Sequence, residues 1–277
     1  ELLARTPESG GVLITITHDI DVARRLGGEV AILRQGQVVE RGPAQQVLTH
    51  TRSEYGQELL DAEPSRWPRP APLGETAQAP VVTATNLAKA RGGRELFRKL
   101  SLTVRPGEIV GVVGPSGCGK STLGDMLLGV TRADTGGILR APGHPLGFQK
   151  LYQDPVAAFP PHQMLGQTLR DLVAIGGDNR IEPLLEQMGL DPILLTRRPG
   201  AVSGGELQRL SLLRAVLRRP AFLFADEPTS RLDPITQQKM ITALTGLAES
   251  EGMAILLVSH DLALVQATAD QVLPLGA

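Results

Sequence analysis

An α/β fold with a mostly parallel core sheet, an antiparallel edge subdomain and a helical insertion is predicted by three observations. Residues 109–113, 221–225 and 253–259 are continuous apolar runs, as expected of strands covered by helices on both faces. Helical stretches separate the runs, and that alternation builds a parallel sheet. The first run leads into Gly114-Pro115-Ser116-Gly117-Cys118-Gly119-Lys120-Ser121-Thr122 and then into 123–128, which reads as the opening of a helix. Strand, glycine-rich turn and helix start are the context in which G-x-x-x-x-G-K-S is a phosphate cradle. Its backbone N–H groups and the positive end of the helix would face phosphate oxygens. Lys120 would reach the β- and γ-phosphates of a nucleotide, and Ser121 would offer its hydroxyl to Mg²⁺.

Taken in chain order, the elements begin with half of an internal repeat. Residues 11–20 (GVLITITHDI) resemble 253–262 (MAILLVSHDL), with His18 and His260 separated by 242 positions. At that offset Val30 meets Val272 and Leu33 meets Leu275. The spacing is too long for a solenoid unit and has the size of a whole domain. The chain opens without an initiator Met or signal peptide, so residues 1–63 read as the tail of one domain copy in a longer polypeptide. Within that tail, 30–33 and 37–40 flank Gln35-Gly36 as a hairpin, and 45–60 reads as one or two short helices. Residues 64–80, dense in proline and holding the single Trp67, read as an extended linker. A second copy spans 81–277, starting with strands at 81–85 and 100–104 that form an antiparallel edge. Residues 154–200 carry few β-branched runs and several prolines and read as a helical insertion.

Composition narrows the function. With 28 basic against 29 acidic residues and 3% aromatics, the chain has neither a polyanion-binding charge nor a base-stacking platform, so no direct nucleic-acid partner is expected. One cysteine, Cys118, rules out a disulfide framework and a thiolate zinc site and suits a reducing compartment. No apolar stretch approaches the length needed to cross a bilayer.

Two further motifs lie downstream of the cradle. Phe222-Leu223-Phe224-Ala225-Asp226-Glu227 is an apolar strand ending in adjacent carboxylates, which alternation of side-chain direction lets do different work. Asp226 would hold Mg²⁺ through its water shell, and Glu227 would polarise the attacking water. Ser203-Gly204-Gly205-Glu206 precedes a leucine-rich helical face and reads as a capped helix N-terminus, a second anion site.

The phosphate loop 114–122, Gln153, Ser203-Gly204-Gly205-Glu206, Asp226-Glu227, the turn Ser230-Arg231-Leu232-Asp233 and His260 occur in the order of an ATP-binding-cassette (ABC) ATPase, and the chain resembles that family. The resemblance covers 81–277 as a cassette lacking its last hairpin, and 1–63 as the end of a preceding cassette. It implies a P-loop ATPase in which two cassettes stack head to tail, each ATP lying between the phosphate loop of one and the signature of the other. By the same resemblance, Lys120, Ser121 and Thr122 bind phosphate and Mg²⁺, and Gln153 completes the metal site and senses the membrane partner. Ser203 and Gly205 clasp the γ-phosphate across the interface, Asp233 belongs to the turn linking the sites, and His260 fixes the γ-phosphate and water. Tyr152-Gln153-Asp154-Pro155, the following Pro160-Pro161 and the stretch 55–64 are similar to the oligopeptide, dipeptide, glutathione and nickel importers. That subgroup implies permease subunits, an extracytoplasmic substrate-binding protein and a peripheral position on the cytoplasmic side of the inner membrane.

Three positions depart from the family pattern. Arg91 falls where an aromatic ring usually stacks on adenine, Glu206 replaces the commoner Gln, and Arg231 adds charge before Asp233. A guanidinium plane can also stack on a base. A DNA-repair ATPase of the same superfamily would need a long coiled coil or zinc module between Lys120 and Ser203, and a ribosome-associated tandem cassette a long charged linker. The sequence has neither.

Overall fold

In the computed structural model of the chain, residues 12–70, 78–142, 147–176, 178–230 and 232–276 are described. The centre of the proline-rich linker, residues 71–77, and Arg231 lie outside the described residues. The chain divides into two compact units, one running to Trp67 and taking in Asp233–Gln238, the other comprising Pro68–Leu232 and Lys239 onward.

The first unit holds α1 (Ile20–Leu26), β1 (Glu29–Arg34), β2 (Gln37–Pro43), α2 (Ala44–Val47) and α3 (Glu54–Asp61). Asp19 caps α1 by accepting from the Val22 N–H, and β1 and β2 pair as an antiparallel hairpin through Gln35-Gly36, both left-handed. The Glu40 carboxylate knots β2 to the start of α3, accepting from the Thr51 hydroxyl and from the N–H groups of Arg52 (3.0 Å) and Ser53 (2.9 Å). Those bonds hold its carboxyl down at about 2. Pro64–Arg66, at the start of the stretch expected to be a linker, form a 3₁₀ turn rather than an extended run.

The second unit is built on a five-stranded parallel sheet. Its strands are β5 (Ile109–Val113), β7 (Phe148–Leu151), β8 (Phe222–Asp226), β9 (Ala254–Val258) and β10 (Gln271–Pro274), in the order β10-β5-β9-β8-β7. A three-stranded antiparallel sheet is made by β3 (Val82–Arg91), β4 (Arg94–Val104) and β6 (Thr135–Arg140), in the order β4-β3-β6. The helices are α4 (Lys120–Leu128), α5 (Leu165–Ala174), α6 (Ile181–Gln187), α7 (Gly204–Val216), α8 (Pro234–Glu251, which belongs to this unit from Lys239 onward) and α9 (Leu262–Thr268), with α5, α6 and several 3₁₀ turns inside the expected insertion.

The fold class agrees with the sequence prediction, and the apolar runs form β5, β8 and β9. All residues of β8 and β9 are buried, which explains why they read as unbroken apolar runs rather than alternating ones. Three strands had no such signature. Thr135–Arg140 has one residue that is not exposed, Phe148–Leu151 is four residues long and carries Lys150, and Gln271–Pro274 is an edge strand with exposed positions. One core joins the two sheets and α4, with Leu87 and Val104 from the antiparallel layer, Leu123 and Met126 from α4, and Phe224 and Leu256 from the parallel sheet.

Candidate active site

Parallel strands all deliver their C-terminal ends to one edge of the sheet, the edge at which ligands bind in open α/β folds. Here β5 ends in the phosphate loop, β7 runs into Gln153, β8 ends in Asp226 and Glu227, and β9 runs into His260. The strand order sets β9 between β5 and β8, so loop and carboxylates arrive from strands two places apart.

The loop is shaped by its glycines. Gly119 is left-handed (φ 107°) and caps α4, and a Cβ on Gly114 would stand 2.3 Å from the Leu275 carbonyl oxygen and 2.9 Å from Cys118 Sγ. Cys118 is buried behind the loop while Pro115, Ser116 and Gly117 are exposed at its tip. Lys120, 7% exposed, folds back so that Nζ donates to the carbonyl oxygens of Gly114 (2.7 Å) and Pro115 (3.1 Å). Thr122 sits half-buried in the first turn of α4.

One residue away, Ser121 Oγ donates to Asp226 Oδ1 (3.1 Å). Burial pushes the Asp226 carboxyl above the ordinary aspartate range; the Ser121 hydroxyl and the Lys150 ammonium oppose this, while Glu227 and Asp125 add to it. Glu227 Oε2 accepts from Gln153 Nε2 (2.9 Å) and lies 3.7 Å from His260 Nδ1. Its backbone is left-handed, φ 47°, an uncommon state for a residue with a Cβ. The Glu227 N–H donates to the Val258 carbonyl (2.9 Å), which pins that conformation between β8 and β9. Strain of this kind concentrates at functional sites, where the surrounding structure holds it in place.

The structure therefore brings the phosphate loop, Asp226, Glu227, Gln153 and His260 together. The signature segment is organised separately. Ser203 caps α7 in a full capping box, with Glu206 N–H donating to Ser203 Oγ (3.3 Å) and Ser203 N–H donating to Glu206 Oε2 (2.8 Å). Those donors from Ser203 hold the Glu206 carboxyl below its ordinary range. Gly204 and Ser203 are exposed, and no hydrogen bond among the described residues joins 203–206 to the phosphate loop. Asp233 accepts from the Thr236 N–H (3.0 Å) and hydroxyl (2.6 Å) at the start of α8. Burial acts to raise its carboxyl, but those bonds prevail and hold it low. Arg91 is exposed at the end of β3, opposite Arg94.

Four residues of the site carry no motif in the sequence. Gln208, buried on α7, donates to the Tyr152 carbonyl (3.3 Å) and so ties the signature helix to the residue beside Gln153. Leu96 and Phe97 of β4 back the phosphate loop, since a Cβ on Gly119 would meet their atoms at 3.0 and 3.1 Å. Lys150 of β7 lies between Asp125 and Asp226. A lysine within a short strand was the only signal for it.

The oxygen donors Ser121 and Asp226 form a hard donor set suited to Mg²⁺, and the Gln153 amide lies on the adjacent Glu227. A glycine-rich loop with an exposed tip at the start of a helix suits a polyphosphate. The residues present fit a nucleotide with its divalent cation.

Residues 97–230 match the ABC transporter family model. The peptidoglycan transport ATP-binding protein YejF of Agrobacterium fabrum is 31% identical over 301 aligned positions, covering 96% of this chain and 54% of that protein. The glutathione import ATP-binding protein GsiA of Salmonella choleraesuis is 30% identical, covering 94% of this chain and 50% of its own length. The zinc import ATP-binding protein ZnuC of Pseudomonas fluorescens is 37% identical over 188 positions, covering 66% of this chain and 69% of that protein. The chain thus spans about half the length of YejF and GsiA. Among solved structures, a dimeric bacterial ABC transporter cassette superposes with a TM-score of 0.61 at 21% identity, covering 70% of this chain and 94% of its own, which is a likeness of fold. Phosphate loop, acidic strand, signature helix and relatives converge, and the chain belongs to the ABC transporter family, among its ATP-binding subunits.

Proposed function

We propose that the chain hydrolyses ATP to power an ABC importer, with short peptides or a nickel-type metal complex as cargo. The observation that carries this reading is the junction of the phosphate loop with two carboxylates at one sheet edge, Ser121 on Asp226 and Gln153 on Glu227. The loop N–H groups and Lys120 would bind the β- and γ-phosphates, Lys120 exchanging its two carbonyl acceptors for phosphate oxygens. Ser121, Asp226 and Gln153 would hold Mg²⁺, which when bound neutralises charge on the transferring phosphoryl group. Gln153 fixes one oxygen of Glu227, so the other is the one that would take a proton from the attacking water. His260, on the same carboxylate, would orient that water and the γ-phosphate.

In the paired form, Ser203, Gly204, Gly205 and Glu206 of one cassette would meet the ATP held by the other, and Asp233 would link the two sites. Arg91 would stack its guanidinium plane on the base. Relatives named for peptidoglycan transport and glutathione import support a cargo of peptide type. Permease subunits would receive the force, a substrate-binding protein would deliver cargo, and the chain would sit peripherally on the cytoplasmic side of the inner membrane.

Two variants test the chemistry. Lys120→Ala should lose ATP binding in an equilibrium titration, and unchanged affinity overturns the phosphate site. Glu227→Gln should keep ATP affinity within about threefold while turnover falls about 10²-fold or more. Cargo is tested in the assembly with permease and binding protein, where short peptides or a nickel complex should stimulate ATP turnover; stimulation by neither overturns the cargo class.

A further inference from the structure

The positive charge of Lys150 has no part in the chemistry above. It sits on β7, three residues before Gln153, with Nζ 2.7 Å from Asp125 Oδ1 and 3.9 Å from Asp226 Oδ2. Its side chain is 20% exposed, and Nζ stands 5.0 Å from the centre of the Phe224 ring and 5.7 Å from that of Tyr152. Two aromatic faces and two carboxylates leave this ammonium little freedom to swing out to solvent. Asp125 projects from α4, the helix that carries the phosphate loop, and Asp226 is the carboxylate that Ser121 touches.

We propose that Lys150 is a resident counter-cation of the metal site, a positioning residue that sets how strongly nucleotide binding depends on Mg²⁺. The inference rests on the proposed nucleotide site. A fixed positive charge beside Asp226 does part of what a divalent cation does. It neutralises the carboxylate when no metal is present and favours the phosphate charge of free ATP. It also repels a second cation from the same oxygens. Lys150 should therefore strengthen binding of metal-free ATP and weaken the extra affinity that Mg²⁺ provides. Asp125 should act in the opposite sense, because it cancels the charge of Lys150.

Signs separate this from a role in packing alone. If Lys150 and Asp125 only braced β7 against α4, breaking the pair from either side would weaken nucleotide binding alike, with or without metal. As electrostatic partners they move the metal dependence in opposite directions.

The experiment measures the affinity of the 277-residue chain for trinitrophenyl-ATP in Mg²⁺ and in EDTA, and takes the ratio as the metal dependence. Lys150→Met should raise that ratio about fivefold, and Asp125→Asn should lower it by a similar factor. The Lys150→Met/Asp125→Asn double variant should return within about twofold of the parent, and Lys150→Arg, which keeps the charge, should stay there too. Shifts of the same sign in both single variants, or a ratio unchanged in both, overturn the role of Lys150. A parent chain that binds trinitrophenyl-ATP in neither condition overturns the nucleotide-site reading instead, so the two failures are distinguishable.

Discussion

At the scale of single residues the site is a set of charges held where water alone would not hold them. Asp226 is 7% exposed, and burial raises its carboxyl above the ordinary aspartate range. A raised folded-state value means that the native chain binds a proton more tightly than the unfolded chain does. Stability contributed by the protonated form is therefore present at low pH and declines as pH climbs from the unfolded aspartate range through the raised value. Above the raised value the nucleotide-free protein carries that cost in full. Asp226→Asn should accordingly raise the melting temperature by about 2–4 °C at pH 7, and leave it unchanged below the ordinary aspartate range. Equal stabilisation at both pH values would assign the gain to packing instead of charge. Glu227 shows the complementary device: its left-handed backbone, fixed by a hydrogen bond to β9, aims a carboxylate that two other strands then contact through Gln153 and His260.

Elements transmit these constraints. Helix α4 is short, and its first turn is the floor of the phosphate loop, so the depth at which it packs decides where Lys120 and Ser121 stand. Gly124 lets it pack deeply, because a Cβ there would fall 2.2–2.4 Å from three atoms of the fully buried Phe224 ring. Gly124→Ala should destabilise the fold by about 1–3 kcal/mol, read as a lower urea midpoint, and weaken ATP binding as α4 is displaced. An unchanged midpoint would mean that the ring can move aside. The far end of the same helix is held by Arg140 of β6, whose guanidinium donates to the Leu127 and Met126 carbonyls at 2.7 Å each. These are carbonyls of the helix's last turn, where intrahelical partners run out, and the Met126 carbonyl also accepts from the Gly129 N–H at the C-cap. Loop and helix are thus clamped from both sheets.

At the scale of the whole chain, the phosphate loop and the signature motif are joined by no hydrogen bond among the described residues. Two chains facing each other would complete two sites, as the family's head-to-tail arrangement implies. Sedimentation of Glu227→Gln with Mg·ATP, which should stall the paired state, is expected to yield a dimer that dissociates when ATP is removed. A strict monomer at high protein concentration contradicts self-pairing of 81–277. Signature and loop would then need a different partner cassette.

How much was legible beforehand depended on whether a residue's role was local. The phosphate loop, the capping of α7 by Ser203 and Glu206, and the buried strands β5, β8 and β9 could be read in sequence, because each is dictated by neighbours a few positions away: glycine dihedrals, a side chain reaching its own helix, an apolar run. Lys150, Gln208 and Phe97 could not, since their partners come from other elements. Chemistry and order of motifs were determined by the sequence alone. Which lysine came to face Asp226, and which glutamine came to hold the residue beside Gln153, was decided only by tertiary structure, because each partner lies on another element that arrives only when the chain folds.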